Sequence, residues 1–166
     1  MYDVEHIRAD FPILSRMVNG KPLIYLDNGA SAQKPRVVID AMTQAYSIEY
    51  ANVHRGLHYL SNLATENYEA VRGKVRRFLN APSEDEIVFT TGATEAINLV
   101  SYAWAAPRMQ PGDEIVLSIL EHHANIVPWQ LLRDQVGIVI KVIPVDEQGV
   151  LDLQAFQSLL SPKTKL

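Results

Sequence analysis

Four short segments hold residue types whose spacing could do chemistry. Thr90-Thr91-Gly92-Ala93-Thr94-Glu95 lies where an apolar run gives way to a helix-like one. Small residues at a strand-to-helix junction let backbone N–H groups approach an anion. A helix N-terminus there adds positive dipole density, so phosphate is a suitable guest. The Thr94 hydroxyl would add a side-chain donor. The segment has neither the lysine after glycine of a P-loop nor the G-x-G-x-x-G spacing of a dinucleotide fingerprint. An ordinary turn with Thr as cap accounts for the same residues. The second segment, Glu121-His122-His123-Ala124-Asn125, follows the next apolar run. A histidine there could stack on a planar ligand, relay a proton or bind metal. Adjacent histidines rarely point the same way, and the spacing matches no zinc signature, so no metal is expected. A loop histidine that caps a helix is the plainer account.

Asn52-Val53-His54-Arg55-Gly56-Leu57-His58 is the third segment. His54 and His58 would share a helix face, but Gly56 between them argues for a loop. Arg55 could clamp an anion, and a polar surface loop explains the segment equally well. The fourth, Asp27-Asn28-Gly29-Ala30-Ser31, offers small residues that permit close approach of a ligand or backbone, or form only a turn. Two neighbouring strand ends are thus suited to an anion and to a flat ring. Together they suggest a nucleotide or pyridoxal phosphate.

The elements that must position these residues alternate. Leu23–Leu26 reads as a short buried strand, and Pro35 opens a helix carrying Val38, Met42, Ala45 and Tyr46. Residues 49–60 read as an irregular loop. Ser61 can cap the next helix, whose apolar stripe is Val71, Val75, Phe78 and Leu79. Arg72, Lys74, Arg76 and Arg77 read as its solvated face, with cations near the C-terminal end. Glu86–Thr90 is expected as a strand, 95–106 as a helix, 113–118 as a strand and 128–135 as a helix. A strand over 138–143 follows, then a helix capped by Asp152. Short apolar strands alternating with helices predict an α/β fold whose parallel sheet is covered on both faces, a three-layer sandwich with right-handed crossovers. The next strand should begin near Ser161-Pro162-Lys163-Thr164-Lys165-Leu166, so the chain reads as cut within a domain.

Bulk properties remove whole classes of function. The chain has 166 residues, 48% of them hydrophobic, which is ordinary for a globular protein with a core. Its 15 Lys and Arg against 19 Asp and Glu give a net charge of -4, a poor match to a nucleic-acid backbone. With 0 Cys it has no disulfide, thiolate nucleophile or thiolate ligand of its own. No apolar run suits a membrane span, and residues 1–20 are too interrupted by charge for a signal peptide, so a cytoplasmic location is the default.

Four runs appear in one order: Tyr25–Pro35 (YLDNGASAQKP), Val53–His58 (VHRGLH), Thr91–Val100 (TGATEAINLV) and Glu121–Trp129 (EHHANIVPW). The chain resembles the amino-terminal part of a SufS-type cysteine desulfurase, a class V aminotransferase with the type I fold of pyridoxal-phosphate-dependent transferases. The resemblance covers essentially all 166 residues and less than half of a full family member. It implies conversion of L-cysteine to L-alanine with a persulfide for iron–sulfur cluster assembly, pyridoxal 5'-phosphate as cofactor, a sulfur-acceptor protein and a homodimer. Residues 1–34 would be an arm and substrate-side loop, and 35–166 the incomplete first part of the large domain. Ala93 and Thr94 match the phosphate positions, although the family commonly has Thr where Ala93 stands. His122 matches the histidine that stacks on the ring and helps move a proton. His54 and Arg55 resemble a segment near the active site at the dimer interface. Asn28 and Gly29 resemble the loop that approaches the substrate, with Gly29 in place of the usual Ala. The family's Schiff-base lysine stands in a Ser-x-His-Lys setting that none of Lys21, Lys34, Lys74, Lys141, Lys163 and Lys165 has. The 166-residue chain alone is therefore expected to be inactive. A selenocysteine lyase, another lyase of the same fold and a noncatalytic binding or dimerisation module are the alternatives.

Overall fold

A computed structural model describes residues 2–166. It divides into two compact units, one running up to Ile87 and one from Val88 to Leu166.

In the first unit, Asp3 starts helix α1 (Val4–Ala9) by accepting the His6 N–H, and Pro12–Ser15 adds a 3-10 turn. Strands β1 (Met17–Val18) and β2 (Lys21–Pro22) form an antiparallel hairpin across Asn19 and Gly20, both at positive φ as a tight two-residue turn requires. Helix α2 (Arg36–Gln44) begins after Pro35, which occupies the cap position, and runs on into a π-helical turn, Ala45–Glu49. Helix α3 (Tyr59–Leu79) is the longest element.

Three expectations change in this unit. Leu23–Leu26 is extended but pairs with no strand, and Leu26 is 90% exposed. Two apolar-in, apolar-out alternations without a ladder partner do not make a sheet. The cap of α3 is His58, whose Nδ1 accepts the Ser61 N–H at 3.4 Å. Ser61 is instead buried, its hydroxyl donating to the Asn52 carbonyl at 2.7 Å and accepting from the Gly56 N–H at 3.0 Å. The expected stripe of α3 faces outward at Val71, Phe78 and Leu79. Arg76 and Arg77 do lie in the last turn, where cations suit the dipole. Arg72 has a further use: it donates to the Ile87 carbonyl and to Glu69, tying the end of the unit to α3.

The second unit holds the core. Helix α4 (Ala93–Leu99) continues as a π-helical turn, Val100–Ala105. Strand β3 (Glu114–Ser118) leads through helix α5 (Val127–Val136) to strand β4 (Val139–Ile143), and helix α6 (Leu153–Leu159) follows. β3 and β4 pair in parallel, from Glu114 opposite Val139 to Ser118 opposite Ile143. On the other side of β3 the expected further strand begins: Glu114 N–H donates to the Lys163 carbonyl, Lys165 N–H to the Glu114 carbonyl and Val116 N–H to the Leu166 carbonyl, each at 2.9 Å. β3 is therefore central, and its residues Ile115 and Leu117 are buried with Ala105, Met109, Trp129, Leu132 and Ile138. Asp152 caps α6 as expected, accepting from Gln154 and Ala155. The 87–90 segment is not the expected strand: Glu84–Glu86 forms a capped 3-10 turn, and the residues after it belong to no strand. Also among the described residues, no helix is long and apolar enough to cross a membrane.

Candidate functional site

The anion candidate lies at the start of α4. Its cap is Gly92, at φ 132° and ψ 175°, a conformation open essentially to glycine alone. Glycine brings no side chain to satisfy the first N–H groups, so Thr94 is not the cap that an ordinary turn would use. The backbone N–H groups of Ala93 and Thr94 and the Thr94 hydroxyl have no acceptor among the described residues. All three are exposed donors at one helix start. Glu95 is the nearest acidic side chain, and it turns away: its carboxylate accepts from Thr91 Oγ1 at 2.5 Å and Thr91 N at 2.6 Å. These bonds, the hydroxyl's first, hold its pKa below the ordinary value. The donor set fits the oxygens of a phosphate in number and type.

The ring candidate follows β3. His122 precedes a 3-10 turn, His123–Asn125, and caps it with Nδ1, which accepts the Ala124 N–H at 3.1 Å. The capping histidine anticipated as the plainer account is thus present. It occupies only the ring edge at Nδ1 and leaves the exposed ring faces and Nε2 without a hydrogen bond among the described residues. His123 meets the His122 ring edge-on, with centroids 6.2 Å apart. α4 packs against this turn, and the buried Ser101 hydroxyl donates to the Pro128 carbonyl at 3.2 Å. Ala93, Thr94 and His122 are thereby carried on adjoining elements of one unit.

The other four candidate residues belong to the first unit. His54 takes positive φ, 67°, and its N–H donates to Thr65 Oγ1 at 2.8 Å. Its Nε2 lies 3.4 Å from Glu69, and its ring meets Tyr68 edge-on. His58, used as a cap, takes no part in that cluster. Arg55 is exposed, with no side-chain partner among the described residues. Asn28 accepts the Gln33 N–H at 3.2 Å, and the Tyr25 hydroxyl closes the same loop by donating to the Ser31 carbonyl at 2.7 Å. Gly29 is exposed in that loop. A cavity of about 500 Å³ is lined by Ile7, Arg8, Phe11, Tyr25 and Asn28, so Asn28 faces it while Gly29 does not.

The sequence profile of the aminotransferase class-V family matches residues 24–166. The chain belongs to the class V aminotransferase family. A probable cysteine desulfurase of Mycolicibacterium paratuberculosis is 55% identical over all of this chain and 24% of its own length. The crystal structure of the cysteine desulfurase CsdA from Escherichia coli matches 99% of this chain and 40% of that one, at 39% identity and a TM-score of 0.79. The apo cysteine desulfurase of Thermococcus onnurineus matches 95% of this chain and 38% of that one, at 37% identity and a TM-score of 0.84. This class V chain thus spans well under half the length of each of these relatives. Its α/β architecture is that of the type I fold of pyridoxal-phosphate-dependent transferases, as expected from the sequence.

What sequence reasoning missed in this class V chain are the residues around His122. Ser118 donates to Glu121 at 2.6 Å, Asn125 donates to Glu121 at 2.8 Å, and Trp129 donates to Asn125 at 2.9 Å. Their spacings of three, four and four residues are the available signal, and they run across a strand end, a loop and a helix start.

Proposed function

We propose that this chain supplies the amino-terminal part of the cofactor site of a SufS-type cysteine desulfurase. The whole enzyme is a sulfurtransferase that converts L-cysteine to L-alanine and holds the sulfur as a persulfide for iron–sulfur cluster assembly. The observation that carries the reading is the unpaired donor set at the start of α4, with the His122 turn packed beside that helix. Kinship with proteins named cysteine desulfurase supports the reaction class.

Pyridoxal phosphate, when bound, supplies the electron sink that such chemistry at an amino acid needs. The Ala93 and Thr94 N–H groups and the Thr94 hydroxyl would hold its phosphate, aided by the positive helix start. Ala93 contributes through its backbone alone, which leaves Thr94 as the one hydroxyl donor of the pair. His122 would lay a ring face on the cofactor and hold or pass a proton at Nε2. Asn28 and Gly29 are assigned to the substrate side, and His54 and Arg55 to the dimer side. Residues 1–34 form the arm, and 35–166 the first part of the large domain. The working enzyme is a cytoplasmic homodimer that passes sulfur to an acceptor protein. The 166 residues contain 0 Cys and no lysine in a Ser-x-His-Lys setting, so the chain alone does not turn over.

The test is a titration of the chain with pyridoxal phosphate, read from the phosphorus resonance. Thr94→Val removes a donor to a charged group and should weaken binding about tenfold. An unchanged affinity refutes the phosphate assignment, and alanine release by the 166-residue chain refutes its inactivity.

A further inference from the structure

Glu121 is the hub of a hydrogen-bonded clamp around His122. Ser118 Oγ donates to its Oε1 at 2.6 Å, and Asn125 Nδ2 donates to its Oε2 at 2.8 Å. The far side of the Asn125 amide is fixed by Trp129, whose indole N–H donates to Oδ1 at 2.9 Å. An indole N–H can only donate, so the amide oxygen must face Trp129 and the NH2 must face Glu121. Trp129 is 3% exposed and part of the core, which makes it a rigid anchor. The carboxylate has a donor on each oxygen. The Ser118 hydroxyl first, and the Asn125 amide second, hold its pKa below the ordinary value.

The Glu121–Asn125 bond closes a five-residue ring of chain, and His122 sits within it. The His122 carbonyl accepts the Asn125 N–H at 2.7 Å, and its Nδ1 accepts the Ala124 N–H at 3.1 Å. A nitrogen that accepts from a backbone N–H carries no proton, so the neutral ring holds its proton on Nε2. If the ring of chain opens, the Ala124 N–H leaves Nδ1 and both tautomers become accessible.

We propose that Glu121 is a positioning residue: through Asn125 it keeps the His122–Asn125 turn closed and so fixes the orientation and the Nε2–H tautomer of His122. This deepens the reading of His122 as the residue that faces the cofactor ring, since a proton held at one defined nitrogen is what such a residue must offer.

The experiment uses the 166-residue chain with nitrogen-labelled histidine and no cofactor, above the pH at which imidazole is charged. His122 in the parent should show one dominant tautomer, protonated at Nε2. Glu121→Ala should lower the tautomer ratio about fivefold, the factor expected when one hydrogen bond of ordinary net strength is lost. Glu121→Gln keeps the shape and one acceptor oxygen and should restore most of the ratio. His58, whose Nδ1 accepts from Ser61 in the other unit, should not change in either variant. If Glu121→Ala fails to fold, Ser118→Ala removes one of the two donors and should shift the ratio in the same direction. An unchanged ratio in a folded variant, or a parent with mixed tautomers, overturns the proposal. Cofactor binding is read separately. An unaltered tautomer with Thr94-dependent binding sinks only the role of Glu121, and a tautomer shift without such binding sinks only the proposed function.

Discussion

Replacing Gly92 by alanine isolates one physical term at the candidate anion site. Gly92 has φ 132° and ψ 175°, and a Cβ built there meets nothing within 4 Å. Steric clash with neighbours therefore contributes nothing, and the whole cost is backbone conformation. For a non-glycine residue in that region the cost is about 1–3 kcal/mol. Gly29 provides the opposite case. It also has nothing within 4 Å of a built Cβ, and its φ lies outside the range that L side chains rarely adopt. Alanine there should stabilise by about 0.4–1 kcal/mol, because it restricts the unfolded chain. The assay is urea unfolding followed by far-UV circular dichroism and by tryptophan fluorescence. Both tryptophans, Trp104 and Trp129, lie in the unit that contains Gly92. The fluorescence midpoint should fall for Gly92→Ala, and the dichroism midpoint should hold or rise for Gly29→Ala. Gly92→Ala should also weaken phosphate binding, since relief of the strain turns the Ala93 N–H out of line. Equal midpoints for the two variants would refute the reasoning, because they would mean the turn before α4 is not held in the glycine-only region.

Three further outcomes are expected. Glu114 is held at a pKa of about 2 by Lys141 first and by the Ser161 hydroxyl next, below its ordinary 4.5. A depressed carboxylate pKa gives stability that is fully present above pH 4.5 and is lost as pH falls toward 2. A plot of melting temperature against pH should therefore drop through that window, and Glu114→Gln should flatten it. Leu132→Ala, at a core position 2% exposed, should cost about 2–5 kcal/mol, whereas Phe78→Ala, 88% exposed, should stay within about 0.5 kcal/mol in the same unfolding assay. Ser61→Ala leaves the Asn52 carbonyl and the Gly56 N–H without their partner and should cost about 1–3 kcal/mol, with the His54 resonances shifting as its loop loosens.

Elements made by local chemistry were legible. Asp152 caps α6, and Pro128 sits in the first turn of α5, because capping and proline geometry act within four residues. β3 and β4 were legible as apolar runs between turn residues. Leu23–Leu26 and 87–90 have the same local character and are not strands, since a strand exists only with a partner and local sequence does not name one. The stripe of α3 failed in a related way. Periodicity locates the apolar face of a helix, but Phe78 and Leu79 need something to cover that face before they become core. Ser61 looked like a cap because serine often is one. His58, three residues earlier, starts the helix by accepting the N–H of Ser61 itself, so Ser61 lies inside the first turn of α3 and its hydroxyl binds the preceding loop instead.

The candidate site divides along the same line. Thr94 and His122 were legible because each stands at a chain junction where backbone groups or ring faces are left over. The clamp on His122 was not, and its bonds explain why. Ser118–Glu121, Glu121–Asn125 and Asn125–Trp129 have the spacing of one helix face, yet Ser118 ends a strand and Trp129 lies in the first turn of a helix. Spacing implies contact only when a regular element fixes the geometry. Here the geometry comes from the parallel pairing of β3 with β4 and from burial of Trp129, both set by residues far along the chain. A candidate side chain can thus be picked out from its junction, whereas the groups that hold it require the packed sheet to be known.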